Sequence, residues 1–436
     1  MITQTEYRAR RFDLANRLPS NAIAIIPGAG LTLRNGDAHY RFRQDSHFYY
    51  LTGFEEPQAC LIIMNTPNPQ SILFCMPKNP SEERWNGIRL GIDNARSILK
   101  MDDAYGIEQL STLLPELLLN KEQIFYCFAH HHAYESILHE ALRIAKKQHK
   151  AGKHIPQHFQ NLEPILGDMR LFKSEAEINL MRQAASISVE AHLRAMQKAS
   201  LAQFEYELEA ELLYTFARHG CRAPAYDSIV AGGANACTLH YTANNQALTP
   251  HSLVLIDAAG EYQNYAADIT RTFPLSGHFN DRQRAIYELV LTAQTAGIET
   301  VHPGTAWPEI QKNIVHILTT GLCDLGLLHG NINTLIETEA YKTFYMHGSG
   351  HWLGLDVHDA GSYRLNNGPQ ILQANMVCTV EPGIYIAPET PNIDPAWWGI
   401  GIRIEDDILV TPHGHENLSA ALPKTIDEIE ACVQHR

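Results

Sequence analysis

Apolar residues along this chain fall into two regimes: short unbroken runs, and longer stretches spaced three and four apart. Over the first 170 residues the unbroken runs are AIAIIPG from Ala22, CLIIMN from Cys60 and SILFCMP from Ser71, bounded by Pro, Asn and Gly. Runs of that length without polar alternation predict buried strands of a parallel or mixed sheet. EQLSTLLPELLL (108–119) and HAYESILHEALRIAKKQ (132–148) carry helical spacing. Strands mixed with helices at this scale predict a small α/β domain, residues 1–170.

The pattern changes near 165–173, in EPILGDMRLFKS. Ser174 and Glu177 have the spacing of a capping box, and Ile178, Met181, Ala185, Val189, Leu193 and Met196 then follow a helical period. Further helices are predicted over 204–219, 281–299 and 306–326, interleaved with apolar strand runs. Strands and helices segregated in this way predict an α+β domain over 171–436.

Composition narrows the function classes. A chain of 436 residues is long for one hydrophobic core, so two domains are expected. The net charge of −14 argues against a nucleic-acid or anionic-membrane surface, which needs a basic face. The first apolar stretch, AIAII at 22–26, is too short for a signal peptide or membrane span. Eight cysteines stand singly, without a CxxC pair, as buried reduced thiols would in a cytoplasmic protein.

Five residues of the second half carry the candidate chemistry. Asp257 follows LVLI, Asp268 sits in YAADITRTF, and His351 in MHGSGHWLGLDVHD; Glu381 ends MVCTV, and Glu405 follows GIGIRI. Four carboxylates and an imidazole beside apolar runs would repel one another and lose hydration; buried charges persist when they are paired or bind metal, and one pair of cations would explain all five. Asp257 and Asp268 flank AAGEYQNYAA, whose Gly260, Gln263 and Asn264 allow a hairpin that would bring both acids to one end of paired strands. Arg403 and Glu405 are two apart and share a strand face. Glycines at 348, 350 and 354 argue against a helix around His347, His351 and His358. Bridging carboxylates with one imidazole suit a hydrolytic pair of cations, a device that phosphatases also use.

Other signals are discounted. GAG at 28–30 and AGG at 231–233 lack the GxGxxG pattern, and Ser349 in HGSGH is not a GxSxG elbow. His130, His131 and His132 are expected to be a surface feature.

In this order and context the residues resemble the pita-bread metallopeptidases, and within them the aminopeptidase P (Xaa-Pro aminopeptidase) group. The resemblance covers essentially the whole chain, including NGDAHYRFRQDSHFYYLTGFEEP in the smaller domain. It implies a curved antiparallel sheet in the C-terminal domain and an N-terminal domain serving substrate access and oligomer contacts. It implies two divalent cations, manganese by preference, with Asp257 on one, Asp268 and Glu405 bridging, and His351 and Glu381 on the other. It makes Glu381, His358 and His240 catalytic. His347, Arg403 and Tyr385 become substrate-binding, with Asp37 and Trp85 near the substrate's N-terminal end. The activity implied is release of the residue before proline by a metal-bridging hydroxide, in a cytoplasmic dimer or tetramer. One departure is Ser349, where the group usually has an aliphatic residue. Prolidase shares the ligands but cleaves only dipeptides. Methionine aminopeptidases usually lack this N-terminal domain, and metal-free creatinase-type enzymes and non-enzymatic peptide-binding scaffolds have lost ligands that are intact here.

Overall fold

The computed structural model describes residues 1–434, which divide into two compact units, Met1–Met169 and a second beginning at Arg170. The first unit is built on one six-stranded sheet. Its strands are β1 (Ala22–Pro27), β2 (Cys60–Met64), β3 (Gln70–Cys75), β4 (Asp103–Gly106), β5 (Gln123–Tyr126) and β6 (His158–Asn161), in the order β4-β3-β2-β1-β5-β6. Strands β1 and β5 run parallel, Ile25 opposite Tyr126, while β2 runs antiparallel to both of its neighbours. The sheet is therefore mixed, and every residue of β1 and β2 is buried. Unbroken apolar runs are what strands covered on both faces require. Helices α1 (Leu110–Leu117) and α2 (His132–Lys146) supply Leu110, Leu114, Leu138 and Ala141 to a core around Ile23, Ile62, Phe74 and Ile124.

The three-histidine run departs from expectation. His132 is exposed, but His131 is half-buried, stands at the N-cap of α2 and lies 3.3 Å from Asp45. Its ring also meets that of Tyr134 edge-on, so His131 is held by a carboxylate and an aromatic ring together.

The second unit opens with α3 (Glu175–Lys198). The Ser174 side chain accepts from the Glu177 N–H, and the Glu177 carboxylate accepts from the Ser174 N–H, which completes the capping box. Helices α4 (Glu205–Arg218), α5 (Asp281–Thr300) and α6 (Pro308–Asp324) follow, each within two residues of the span its periodicity predicts. Between them run antiparallel ladders. Strand β8 (Leu253–Asp257) pairs with β7 (Ile229–Gly232) and β9 (Thr270–Pro274), placing Asp257 opposite Thr270.

A second pairing is interrupted in a way that matters for the site. Strand β10 (Val377–Val380) pairs with β13 (Asp406–Thr411), ending at Val380 opposite Asp406. Strand β11 (Gly383–Ile386) pairs with β12 (Ile400–Arg403), beginning at Gly383 opposite Arg403. The two breaks, at 381–382 and 404–405, face each other. Pro382 has no N–H to give the ladder, and Glu405 turns aside to bridge Thr270 of β9. Behind these strands lies an apolar core that includes Ile256, Phe273, Val290, Ile314, Cys378, Ile402 and Ile408. All eight cysteines are unpaired.

Candidate metal centre

The predicted ligands converge on a cavity of about 620 Å³ within the second unit, lined by Asp257, Asp268, His351, Glu381 and Glu405 together with Tyr226, His240, His347, His358 and Arg403. The four carboxylates stand at or beside strand ends, and His351 comes from an irregular segment. Asp257 closes β8, and Asp268 lies two residues before β9. Glu381 and Glu405 occupy the opposed breaks in the second ladder, where the backbone leaves the pleat and both side chains turn to the same space. One ligand atom each from Asp268, His351 and Glu405 lie within 4.8 Å of one another. The His351 Nε2 stands 3.3 Å from Asp268 and 3.5 Å from Glu381. Its Nδ1 is 3.0 Å from the Trp352 carbonyl, so Nδ1–H donates there and Nε2 is the nitrogen turned to the cavity, the one left to meet a cation.

Gly350 makes this placement possible. A Cβ built there would lie 2.1 Å from the Thr379 carbonyl oxygen. The His351 N–H contacts the Thr379 hydroxyl at 3.1 Å, and the Thr379 N–H donates to the His351 carbonyl at 2.9 Å. The histidine segment thus lies directly against β10.

Charge explains why the donors suit cations. Arg403 donates to Asp257 at 2.6 Å, the one permanent positive charge against four carboxylates. Burial raises the Asp257 carboxyl despite Arg403, and Asp268 adds to the rise. Burial pushes Glu381 up to about 7, with His351 opposing and Asp268 reinforcing. Glu405 is driven well above the carboxylate range by burial and by Asp268 and Glu381. Burial pulls His351 down, but Asp268 lifts it to about 9. Added positive charge would relieve all of these, and four carboxylates with one imidazole form a donor set for divalent cations.

Two residues that sequence reasoning missed complete the cluster. The Tyr226 hydroxyl stands 2.6 Å from Asp257 and 2.5 Å from Asp268. Asp407, buried and pushed well above its usual range by burial and Asp268, accepts the Asp268 N–H at 3.2 Å. Asp407 follows Glu405 closely in IEDDILV, and that second acid was its only signal; Tyr226 sits in a loop without periodicity.

The substrate-side predictions divide. His347, Arg403 and Tyr385 form a chain: Arg403 donates to the Tyr385 hydroxyl at 2.9 Å, which stands 2.8 Å from His347 Nε2. Arg403 occupies the phenol oxygen, so the phenol proton goes to Nε2 and the His347 proton sits on Nδ1, 2.7 Å from the Gly348 carbonyl. Burial and Arg403 hold His347 down at about 4, a neutral ring. His240 and His358 are exposed on the wall, and the His358 and His351 rings are 4.3 Å apart. Ser349 is buried, 2.5 Å from the Tyr345 hydroxyl, with its N–H donating to Gln311. Asp37 and Trp85 are exposed residues of the first unit, Trp85 by 87%, and the cavity is lined by residues of the second.

Comparison with known proteins gives the family. Residues 179–412 match the model of metallopeptidase family M24, and residues 7–126 match the aminopeptidase P N-terminal domain. The chain belongs to metallopeptidase family M24. Its place within that family is aminopeptidase P. It is 44% identical to the Xaa-Pro aminopeptidase of Haemophilus influenzae, over 98% of this chain and 97% of that one. The structure of Pseudomonas aeruginosa aminopeptidase PepP superposes with a TM-score of 0.96 at 44% identity, covering 99% of this chain and 98% of that one. Zinc-substituted Escherichia coli aminopeptidase P in complex with product gives 0.96 at 40% identity, covering 99% and 98%.

Proposed function

We propose that this chain is a metal-dependent aminopeptidase that releases the N-terminal residue from peptides with proline in second position. The observation that carries the reading is the convergence of four carboxylates and one imidazole beside a neutral, hydrogen-bonded histidine. Asp257, Asp268, His351, Glu381 and Glu405 would hold two divalent cations, with Asp268 and Glu405 between them. Bound cations supply an activated water and polarisation of the scissile carbonyl. Manganese is the proposed occupant, since hard carboxylate oxygens dominate the set; zinc substitutes in the Escherichia coli relative.

The remaining chemistry belongs to side chains. Glu381 takes a proton from the attacking water and delivers it to the leaving nitrogen. A neutral His358 donates an N–H toward the carbonyl oxygen as charge develops there. His240 contacts substrate from the same wall. An Xaa–Pro bond is a tertiary amide with no N–H to recognise, so selection rests on the shape of the ring. Both His347 nitrogens are engaged internally, which leaves its flat face for a proline ring, and the chain through Tyr385 to Arg403 fixes its angle.

We further propose cytoplasmic residence and a dimer or tetramer, with the 1–170 domain supplying contacts and substrate access through Asp37 and Trp85. Eight free thiols suit a reducing compartment. Among the described residues no helix is long and apolar enough to cross a membrane. Trp85 and Ile88, each 87% exposed, are side chains that a partner would cover.

The test uses metal-stripped protein with an Xaa-Pro-Pro tripeptide and an Xaa-Pro dipeptide. Manganese is expected to restore tripeptide cleavage. Cleavage of the dipeptide alone would move the reading to prolidase.

A further inference from the structure

Helix α4 begins with a carboxylate that the chemistry above does not use. Glu205 is fully buried and does not line the cavity. Its Oε1 accepts the Gly232 N–H and the Asn235 amide, each at 2.8 Å. Its Oε2 accepts the Tyr241 hydroxyl at 2.8 Å and the Gln246 N–H at 2.9 Å. Four donors satisfy both oxygens, and all four are neutral. A buried carboxylate without a cation is costly. Its place in the first turn of a 14-residue helix offsets part of that cost.

The four donors come from one segment, Gly232 to Gln246, and that segment forms a wall of the active cavity. Leu239, His240 and Thr242 line the cavity, while Tyr241, between the last two, reaches the other way to Glu205. Beyond the short helical turn Gly233–Cys237 the segment has no regular structure to hold it. Its second anchor is Asn244, whose side chain bonds the Val230 N–H and the Ser228 carbonyl.

We propose that Glu205 is a positioning residue: it fixes the conformation of segment 238–246 so that His240 and Thr242 face substrate while Tyr241 faces inward. This rests on the reading of His240 as a substrate-side group. The proposed metal ligands lie on other segments, so the effect falls on substrate and not on metal.

The experiment compares Glu205→Gln, His240→Ala and the double variant as full-length, manganese-loaded proteins, measuring kcat, KM and bound metal with an Xaa-Pro-Pro tripeptide. Glu205→Gln keeps the shape but turns an N–H₂ toward donors. It is expected to lower kcat/KM about tenfold, with bound metal unchanged, and to add less than about twofold in the His240→Ala background. Tyr241→Phe removes one donor and is expected to give a smaller fall that also vanishes in that background. It decides by the same criterion should Glu205→Gln fail to fold. An equal fall in both backgrounds, a loss of metal, or no fall at all would overturn the positioning role. A silent His240→Ala would overturn the reading of His240 and the role of Glu205 with it.

Discussion

Tyr226 has one hydroxyl proton and two carboxylates within 2.6 Å of it. It can donate to only one, so the other contact needs a second proton or a cation nearby. Tyr226→Phe is therefore expected to weaken metal binding by about 10- to 100-fold, the usual effect of losing a group that orients a ligand, and titration with manganese would measure it. Asp268 is less dispensable, because it sits within reach of His351, Glu405 and Tyr226 at once. Asp268→Ala should abolish turnover and release metal; undiminished metal-dependent activity would sink the assignment. The acids on strand ends were legible, since a turn-capping or solvated role is a weak account of a charge that directly follows LVLI, and five such residues together point to one site. Tyr226 and Glu205 were not, because their importance lies in partners far away in the chain.

The paired interruptions in the second ladder are the element that makes the site. A continuous strand would send residues 381 and 405 into the pleat, where alternation assigns each side chain a face. Glu381-Pro382-Gly383 announced one break in the sequence. The opposite break depends on which strand pairs with it, and no local pattern records that. A similar long-range contact anchors the segment after His358. Asp359 is buried against Arg170 and against Lys173 at 2.9 Å. Burial pushes its carboxyl up, but those two cations hold it at about 2. An unfolded Asp titrates near ~3.9, so this stabilisation is present above that pH and is lost as pH falls toward 2. Asp359→Asn should cost about 3 kcal/mol at pH 7 and flatten the acid limb below pH ~4. Urea unfolding at pH 7 and pH 3 tests this, and parallel losses in wild type and variant would contradict it.

At the scale of the molecule, each unit carries its own apolar core, and the runs that build those cores were the most legible feature of the chain. The cavity is where that order is traded for charge. Without metal, the Glu381 carboxyl rises from its ordinary 4.5 to about 7. A raised acid stabilises the fold below its unfolded value and loses that contribution as pH climbs through 7. Chelator-treated protein should therefore lose Tm between pH 5 and pH 8, while loaded protein does not, and cations should bind more tightly at pH 8 than at pH 6. Scanning calorimetry and titration calorimetry read the two effects; a Tm independent of metal at pH 8 would refute the charge argument. Gly350 has a further implication, for the mutations this chain can survive. Any Cβ there meets the Thr379 carbonyl at 2.1 Å, whereas one at Gly348 meets nothing nearer than 4.0 Å. In a library of random variants selected for activity, position 350 should return glycine alone while position 348 accepts alanine, so drift two residues apart runs at opposite extremes.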